Sequence, residues 1–138
     1  PSLYSTSAYI INYIKSNNPE FSIKLIPGIN SFSAAAALSQ FPLSLKKEQL
    51  LIAPVPDDKK EFNKILDDAI ATQRVIVFLK LGARWLWVRA ILQERGLLDR
   101  TLFAKRVGFS DQDVSLAKNV SIDAKPYFSL LIIGNSIP

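Results

Sequence analysis

The first forty residues contain two stretches in which apolar positions recur at helical spacing. In residues 4–16, Ser7, Ile10, Ile11 and Ile14 follow helical spacing, and the Asn-Asn-Pro that follows predicts the end of a helix. Residues 31–40 contain four consecutive alanines, which favour a helix, and Ser31 is expected to be its N-cap. Between them, residues 22–26 form a short β-prone run. This order predicts a helix–strand–helix portion of an α/β unit.

A new pattern begins after the linker at residues 41–48, which contains a proline and three charged residues. Continuous or alternating apolar runs bounded by turn residues predict strands, and longer amphipathic runs predict helices. The predicted strands cover residues 49–53, 74–79, 101–107, 114–118 and 127–133, and the predicted helices cover residues 59–71 and 83–95. This part is therefore predicted to be an α+β lobe with a mixed five-stranded sheet and two covering helices.

These patterns divide the chain into two parts. Residues 1–43 are predicted to be the C-terminal remnant of a first α/β lobe, and residues 44–138 a complete second lobe. The chain opens with Pro-Ser-Leu-Tyr, without an initiator Met or a signal sequence, so we interpret it as a piece of a longer protein. No apolar run approaches the roughly 18 residues that a membrane span requires, so we expect no membrane association.

The residue types that are present restrict the chemistry. The chain has no cysteine and no histidine, which excludes disulfides, thiolate nucleophiles, histidine bases and the usual zinc sites, and we expect no metal. The 17 lysines and arginines outnumber the 12 acidic residues, which suits phosphate-rich or carboxylate-rich partners. A solvated surface with a few extra lysines explains the same excess. The cations form no stripe interleaved with aromatic residues, so nucleic-acid binding is not expected.

The segment Pro27-Gly28-Ile29-Asn30-Ser31 is the most suggestive one for ligand binding. A predicted strand ends there, the chain turns, and a predicted helix begins. Such a junction places backbone N–H groups and short polar side chains at the carboxyl end of a strand, where open α/β sheets bind ligands. A turn followed by a serine cap explains the same residues without a ligand, and this alternative stays open.

Five segments carry a more specific signal. PGINSFSAAAA at 27–37 and PSLYSTSAY at 1–9 are accompanied by VIVFLKLG at 75–82, RVGFSDQDV at 106–114 and KPYFSLLIIG at 125–134. In this order they resemble segments of the tetrapyrrole methylases, in particular the precorrin-2 carbon-20 branch. The first resembles its PGITSFSAAAA-type segment, and the second the continuation of its GDPSLY motif. The other three resemble the central strand and the last two blocks of its second lobe.

The resemblance implies two α/β lobes, a homodimer when the protein is full length, and S-adenosylmethionine as methyl donor in the cleft between the lobes. Asn30 stands where the family has threonine. The first-lobe loop and the Gly-Asp pair that contact the ligand are absent, so the chain alone is expected to be inactive. Carried over by position, the cofactor-binding residues are Leu3, Asn30, Ser31, Leu79 or Lys80, Gly108 and, near the adenosine, Pro126 and Tyr127.

The function that the resemblance implies is methylation of precorrin-2 or cobalt-precorrin-2 at ring carbon 20, in the cytoplasm, during cobalamin biosynthesis. A sulfonium is already an activated electrophile, so the lack of histidine and cysteine fits this reaction, and no catalytic residue is assigned. Positive charge for the carboxylates of the macrocycle is expected from Lys80, Arg84, Lys105 and Arg106. The alternatives are another tetrapyrrole methylase acting at a different ring carbon, a related ribosomal RNA methylase, and a non-catalytic binding domain.

Overall fold

The structure, a computed structural model, describes residues 2–124 and 126–135. The chain divides into two compact units, of which the first ends at Asn30 and the second begins at Ser31. The first unit contains helix α1 (Ser7–Asn17), whose residues are all at least partly exposed. The β-prone run at residues 22–26 forms no strand, because a strand requires a hydrogen-bonded neighbour and none pairs with it.

The second unit is a mixed α/β structure built on one five-stranded sheet, which confirms the predicted fold class. The strand order is β1-β2-β5-β3-β4; β1 and β2 are parallel, and the other neighbours are antiparallel. The elements are α2 (Ser31–Ser39), β1 (Leu50–Pro54), α3 (Lys59–Ala71), β2 (Val75–Leu79), α4 (Trp85–Glu94), β3 (Thr101–Lys105), β4 (Asp113–Leu116) and β5 (Ser129–Ile133).

Apolar side chains alternate between the two faces of the sheet, because successive side chains of a strand point to opposite sides. On one face, Phe78 and Leu131 pack in a buried cluster with Phe62 of α3 and Trp85 of α4. On the other face, a second buried cluster contains residues of β2, β3 and β5 together with Phe32 of α2. The sheet is therefore covered by helices on both sides.

Helix α2 lies in the same compact unit as the five strands. Phe32, Ala35 and Ala36 are buried against the sheet, so α2 belongs to the same compact unit as the strands. The structural division accordingly falls after Asn30, whereas the sequence pattern placed it between residues 43 and 44. The assignment of residues 1–43 and 44–138 to two lobes of a longer enzyme remains a prediction.

The helix ends follow local capping chemistry. The side chain of Asp58 accepts a hydrogen bond from the Lys60 N–H at 3.1 Å and caps α3. Helix α2 begins at Ser31, so this serine is the first helical residue and not the predicted N-cap. A 3₁₀ turn at Gly82–Arg84 precedes α4, which shortens the helix predicted at 83–95. No helix within residues 2–124 and 126–135 is long and apolar enough to cross a bilayer.

We predict that Leu131→Ala strongly destabilises the second unit. Leu131 is fully buried in the central strand, and truncating such a leucine leaves a cavity that costs about 2–5 kcal/mol of the free energy of unfolding. Leu38→Ala, the same change at a leucine that is 56% exposed on α2, should alter this free energy by no more than about 0.5 kcal/mol. Guanidinium denaturation of both variants measures the difference, and equal losses would contradict this description of the core.

Candidate functional site at the carboxyl ends of the strands

Two backbone hydrogen bonds bring three loops together at one edge of the sheet. The N–H of Leu81, just after β2, donates to the carbonyl of Ser129 at 3.3 Å. The N–H of Arg106, just after β3, donates to the carbonyl of Phe128 at 2.9 Å. The segment before β5 therefore lies between the segments that follow β2 and β3. We call residues 80–82, 106–112 and 126–128 the strand-end loops.

Five of the eight predicted cofactor residues lie at this edge of the sheet. Leu79 ends β2, and its half-buried side chain packs with the α2 side of the core, whereas the side chain of Lys80 is exposed. Gly108, Pro126 and Tyr127 lie in the other two strand-end loops. Sequence reasoning therefore named residues from three separate segments that the fold brings to one place.

The remaining three predicted cofactor residues belong to other segments of the chain. Leu3 and Asn30 belong to the first unit, where both are exposed. Ser31 begins α2 in the second unit and is also exposed. Their part in a cofactor site remains a prediction that rests on the resemblance.

Each strand-end loop contains one non-glycine residue in the left-handed backbone region. The φ angles are +58° for Lys80, +49° for Arg106 and +53° for Phe128, and Gly108 has φ +90°. Such angles are uncommon for residues with a Cβ and persist where the surrounding structure holds them. The sequence carries no signal for these positions, because lysine, arginine and phenylalanine have no intrinsic preference for positive φ.

The loop before β5 presents an exposed aromatic pair. The buried Ser129 hydroxyl donates to the Pro126 carbonyl at 2.9 Å, which fixes the turn from within. Tyr127 and Phe128 remain 70% and 61% exposed, with their ring centroids 4.3 Å apart. Two neighbouring exposed rings offer an apolar surface to a flat ligand. Tyr127 was among the residues predicted from the sequence, and Phe128 was not.

The loop after β3 holds a cation in a defined position. Arg106 Nε donates to Asp111 Oδ1 at 2.7 Å, and its guanidinium carbon lies 4.3 Å from the centroid of the Phe109 ring. The Gly108 N–H donates to Gln112 Oε1 at 3.0 Å and closes the loop. The hydrogen bond from Arg106 lowers the pKa of Asp111 below its ordinary value. The charge of Arg106 is therefore oriented and partly compensated.

Arg84 hydrogen-bonds to the backbone of the loop after β2, and its positive charge is paired with a carboxylate. Its Nε donates to Asp57 Oδ1 at 2.9 Å, with which it forms an ion pair, and its Nη1 donates to the Lys80 carbonyl at 3.3 Å. Arg84 therefore holds the backbone at Lys80 and neutralises Asp57. Of the four predicted cations, Lys80 and Arg106 lie in the strand-end loops themselves, and Lys105 ends β3 beside them.

An open pocket of about 460 Å³ adjoins the strand-end loops. Its described lining is mostly apolar, and Asp123 and Tyr127 are the lining residues with polar side-chain groups. Such a lining suits a nucleoside, whose base is flat and whose ribose carries hydroxyl groups. No group of three or more acidic side chains in the described ranges is arranged to hold a metal ion. The other main lining residues are Gly82, Ala83, Leu86 and Ile122.

The sequence matches the model of a known protein family. The model of the Tetrapyrrole (Corrin/Porphyrin) Methylases matches residues 1–119, which is most of the chain. The chain therefore belongs to the tetrapyrrole methylase family, as the sequence resemblance indicated. Membership makes it part of a methyltransferase family whose relatives act in cobalamin biosynthesis.

Two curated relatives are similar in sequence to this chain. The cobalamin biosynthesis protein CobIJ of Mycobacterium tuberculosis is 33% identical over 113 residues, which cover 82% of this chain and 22% of that protein. The cobalt-precorrin-2 C(20)-methyltransferase of Salmonella typhimurium is 24% identical over 134 residues, which cover 96% of this chain and 54% of that enzyme. The chain thus spans about half the length of the second relative and less than a quarter of the first.

A solved structure confirms the fold. The uroporphyrin-III C-methyl transferase of Thermus thermophilus, crystallised with S-adenosylhomocysteine, superposes with a TM-score of 0.58 at 17% identity. The match covers 98% of this chain and 62% of that protein. At this identity the likeness establishes the architecture and leaves the substrate of the present chain to other arguments.

We predict that the carboxyl of Asp111 titrates below the ordinary aspartate pKa of about 3.9, because Arg106 hydrogen-bonds its charged form. A pKa lowered in the folded state stabilises the fold at pH values above the ordinary pKa. This contribution is lost as the pH falls through the lowered value. Carboxyl-detected NMR titration measures the pKa directly.

In the same titration, Arg106→Gln should raise the pKa of Asp111 toward the ordinary value. Arg95→Gln is a matched control, because it breaks the pair between Arg95 and Asp67 on another face of the unit. It should leave the titration of Asp111 unchanged. An Asp111 pKa that does not respond to Arg106→Gln would contradict the pairing.

Proposed function

We propose that this chain is the C-terminal part of an S-adenosylmethionine-dependent methyltransferase that methylates precorrin-2 or cobalt-precorrin-2 at ring carbon 20. One structural observation gives the main support for this proposal. The three second-unit segments that resemble the carbon-20 branch, residues 75–82, 106–114 and 125–134, each contribute one strand-end loop to the same site. Segments far apart in the sequence thus share both the resemblance and the location. The complete protein is proposed to be a cytoplasmic homodimer.

The residues at the strand ends fit S-adenosylmethionine as the bound donor. We assign Leu79, Lys80, Gly108, Pro126 and Tyr127 to cofactor binding. The assignment of the same role to Leu3, Asn30 and Ser31 rests on the sequence resemblance alone. The apolar pocket beside Tyr127 suits the adenine, and the Asp123 carboxylate can accept hydrogen bonds from hydroxyl groups. The cofactor, when bound, supplies a methyl group on a positively charged sulfur. Support for this donor comes from the Thermus relative, which holds S-adenosylhomocysteine.

The surroundings of the site suit a flat substrate that carries carboxylates. The exposed rings of Tyr127 and Phe128 offer apolar contact to a macrocycle, and the guanidinium of Arg106 is oriented in the neighbouring loop. In this proposal the residues bind and align the two reactants. Alignment of reacting atoms at about 3–3.5 Å supplies a large part of the rate of such a transfer. A general base is not required for the methyl transfer step itself.

A second candidate within the same family is methylation at a different ring carbon. It is supported by the fold that the chain shares with a uroporphyrin-III methylase, because one fold can serve different substrates. Both candidates use the same donor and the same strand-end site, and they differ in how the macrocycle is oriented above it. The position of the transferred methyl group separates them.

We predict that the chain alone binds S-adenosylmethionine weakly. The first-lobe loop and the Gly-Asp pair that the family uses are not part of this sequence, and each charge-assisted hydrogen bond that is missing costs about 1.5–3 kcal/mol. Titration calorimetry should therefore give a dissociation constant well above the micromolar range. Micromolar binding by the 138-residue chain would show that residues 1–138 already contain the essential contacts.

We predict that a complete two-lobed protein containing this chain transfers a labelled methyl group to carbon 20. The assay uses donor with a ¹³C-labelled methyl group and either precorrin-2 or cobalt-precorrin-2, and NMR of the product locates the label. Label at another ring carbon would replace the main proposal with the second candidate. Absence of transfer to any tetrapyrrole would reject both.

In that assay, Tyr127→Ala should raise the KM for S-adenosylmethionine by about two- to tenfold, because an aromatic contact contributes about 0.5–1.5 kcal/mol. Lys64→Gln, an exposed change on α3 away from the strand ends, is the control and should leave the KM unchanged.

A further inference from the structure

A second pocket lies at the opposite ends of the strands from the candidate methyltransferase site. It has a volume of about 670 Å³ and adjoins the starts of β1 and β2 and the residue that follows β5 by two positions. We call it the amino-end pocket. Its principal lining residues are Lys46, Lys47, Glu48, Gln49, Arg74 and Asn135.

The amino-end pocket has an excess of positive charge. Three cations line it, and the one carboxylate among its described lining residues, that of Glu48, is engaged in holding the pocket together. Glu48 Oε2 accepts from the Leu45 N–H at 2.7 Å, and Oε1 accepts from Asn135 Nδ2 at 3.2 Å. The carboxylate therefore closes the adjacent turn and fixes Asn135, and it forms no ion pair with the three cations among the described residues.

Arg74 is oriented within the pocket. Its Nε donates to Gln49 Oε1 at 2.8 Å, and the neighbouring backbone is held by the Val75 N–H, which donates to the Gln49 carbonyl at 3.0 Å. A guanidinium fixed through Nε directs its two terminal nitrogens as a planar fork. This geometry matches the paired oxygens of carboxylates and phosphates.

The turn that carries the two lysines has an unfavourable residue at its tip. The Glu48 N–H donates to the Leu45 carbonyl at 3.0 Å, so Lys46 and Lys47 occupy the two central positions of a tight turn. Lys46 has φ +53°, a region that favours glycine. The turn therefore holds both lysines in a fixed backbone arrangement beside the pocket.

We propose that the amino-end pocket binds a small multivalent oxyanion, which Arg74 holds through its fork and which Lys46 and Lys47 hold through their charges. Phosphate and carboxylate groups share the required chemistry of clustered anionic oxygens. The amino-end pocket is spatially separate from the candidate methyltransferase site, because its residues lie at the other end of the sheet from the strand-end loops. The ligand is therefore a second molecule that binds apart from both donor and macrocycle.

The first test measures binding of inorganic pyrophosphate and of citrate by titration calorimetry. The variant Lys46→Gln/Lys47→Gln should raise the dissociation constant of the preferred anion by about tenfold or more, as expected for lost charge-assisted contacts. Lys60→Gln/Lys64→Gln removes the same charge from exposed positions of α3 and should change it by less than about twofold. The stronger of the two probes identifies phosphate or carboxylate as the recognised group.

The second test separates binding from folding. Lys46→Gly relieves the left-handed backbone, so its melting temperature should equal or exceed that of the unchanged chain, while the affinity for the anion falls. Equal weakening by the pocket and control variants would reduce the effect to net charge and overturn the proposal. Failure of both probes to bind at millimolar concentration would overturn it as well.

Discussion

The central position of β5 is the constraint on which the rest of the second unit depends. This last strand pairs with both β2 and β3, and all five of its residues are buried. The sheet is therefore incomplete until the end of the chain is in place, because β2 and β3 have no direct pairing with each other. The same insertion places residues 126–128 between the loops that follow β2 and β3. The same strand thus contributes both to the core and to the strand-end site.

Besides the turn at Lys46, non-glycine residues with left-handed backbone form two groups in the described part of this unit. Gln40 and Gln73 follow the ends of α2 and α3, where helices commonly end with one residue of positive φ. Lys80, Arg106 and Phe128 instead lie in the strand-end loops, where β pairing holds the flanking residues. The first group satisfies the helix carbonyls. The second shapes the edge of the sheet at which ligands bind in open α/β folds.

The elements of the second unit were largely predictable, because each depends on residues close to it in the sequence. The helix predicted at 59–71 has these limits in the structure, since Asp58 caps it and apolar residues recur along one face. The five predicted strands all form, with ends shifted by one or two residues. Five predicted site residues also lie together, since the resemblance supplied their positions. The run at 22–26 shows the limit of such reasoning, because β propensity without a partner forms no strand.

Only the tertiary structure decided how distant segments meet. Strand order, the burial of Phe32 against the sheet and the exposure of Phe128 beside Tyr127 have no local signal. The hydrogen bond between Glu48 and Asn135 joins residues 87 positions apart and helps form a pocket that no motif marks. The sequence by itself determined the elements and the family, because propensity, periodicity and motifs act over short distances. The sites arise where strand ends converge, and that convergence is set by the pairing of the whole sheet.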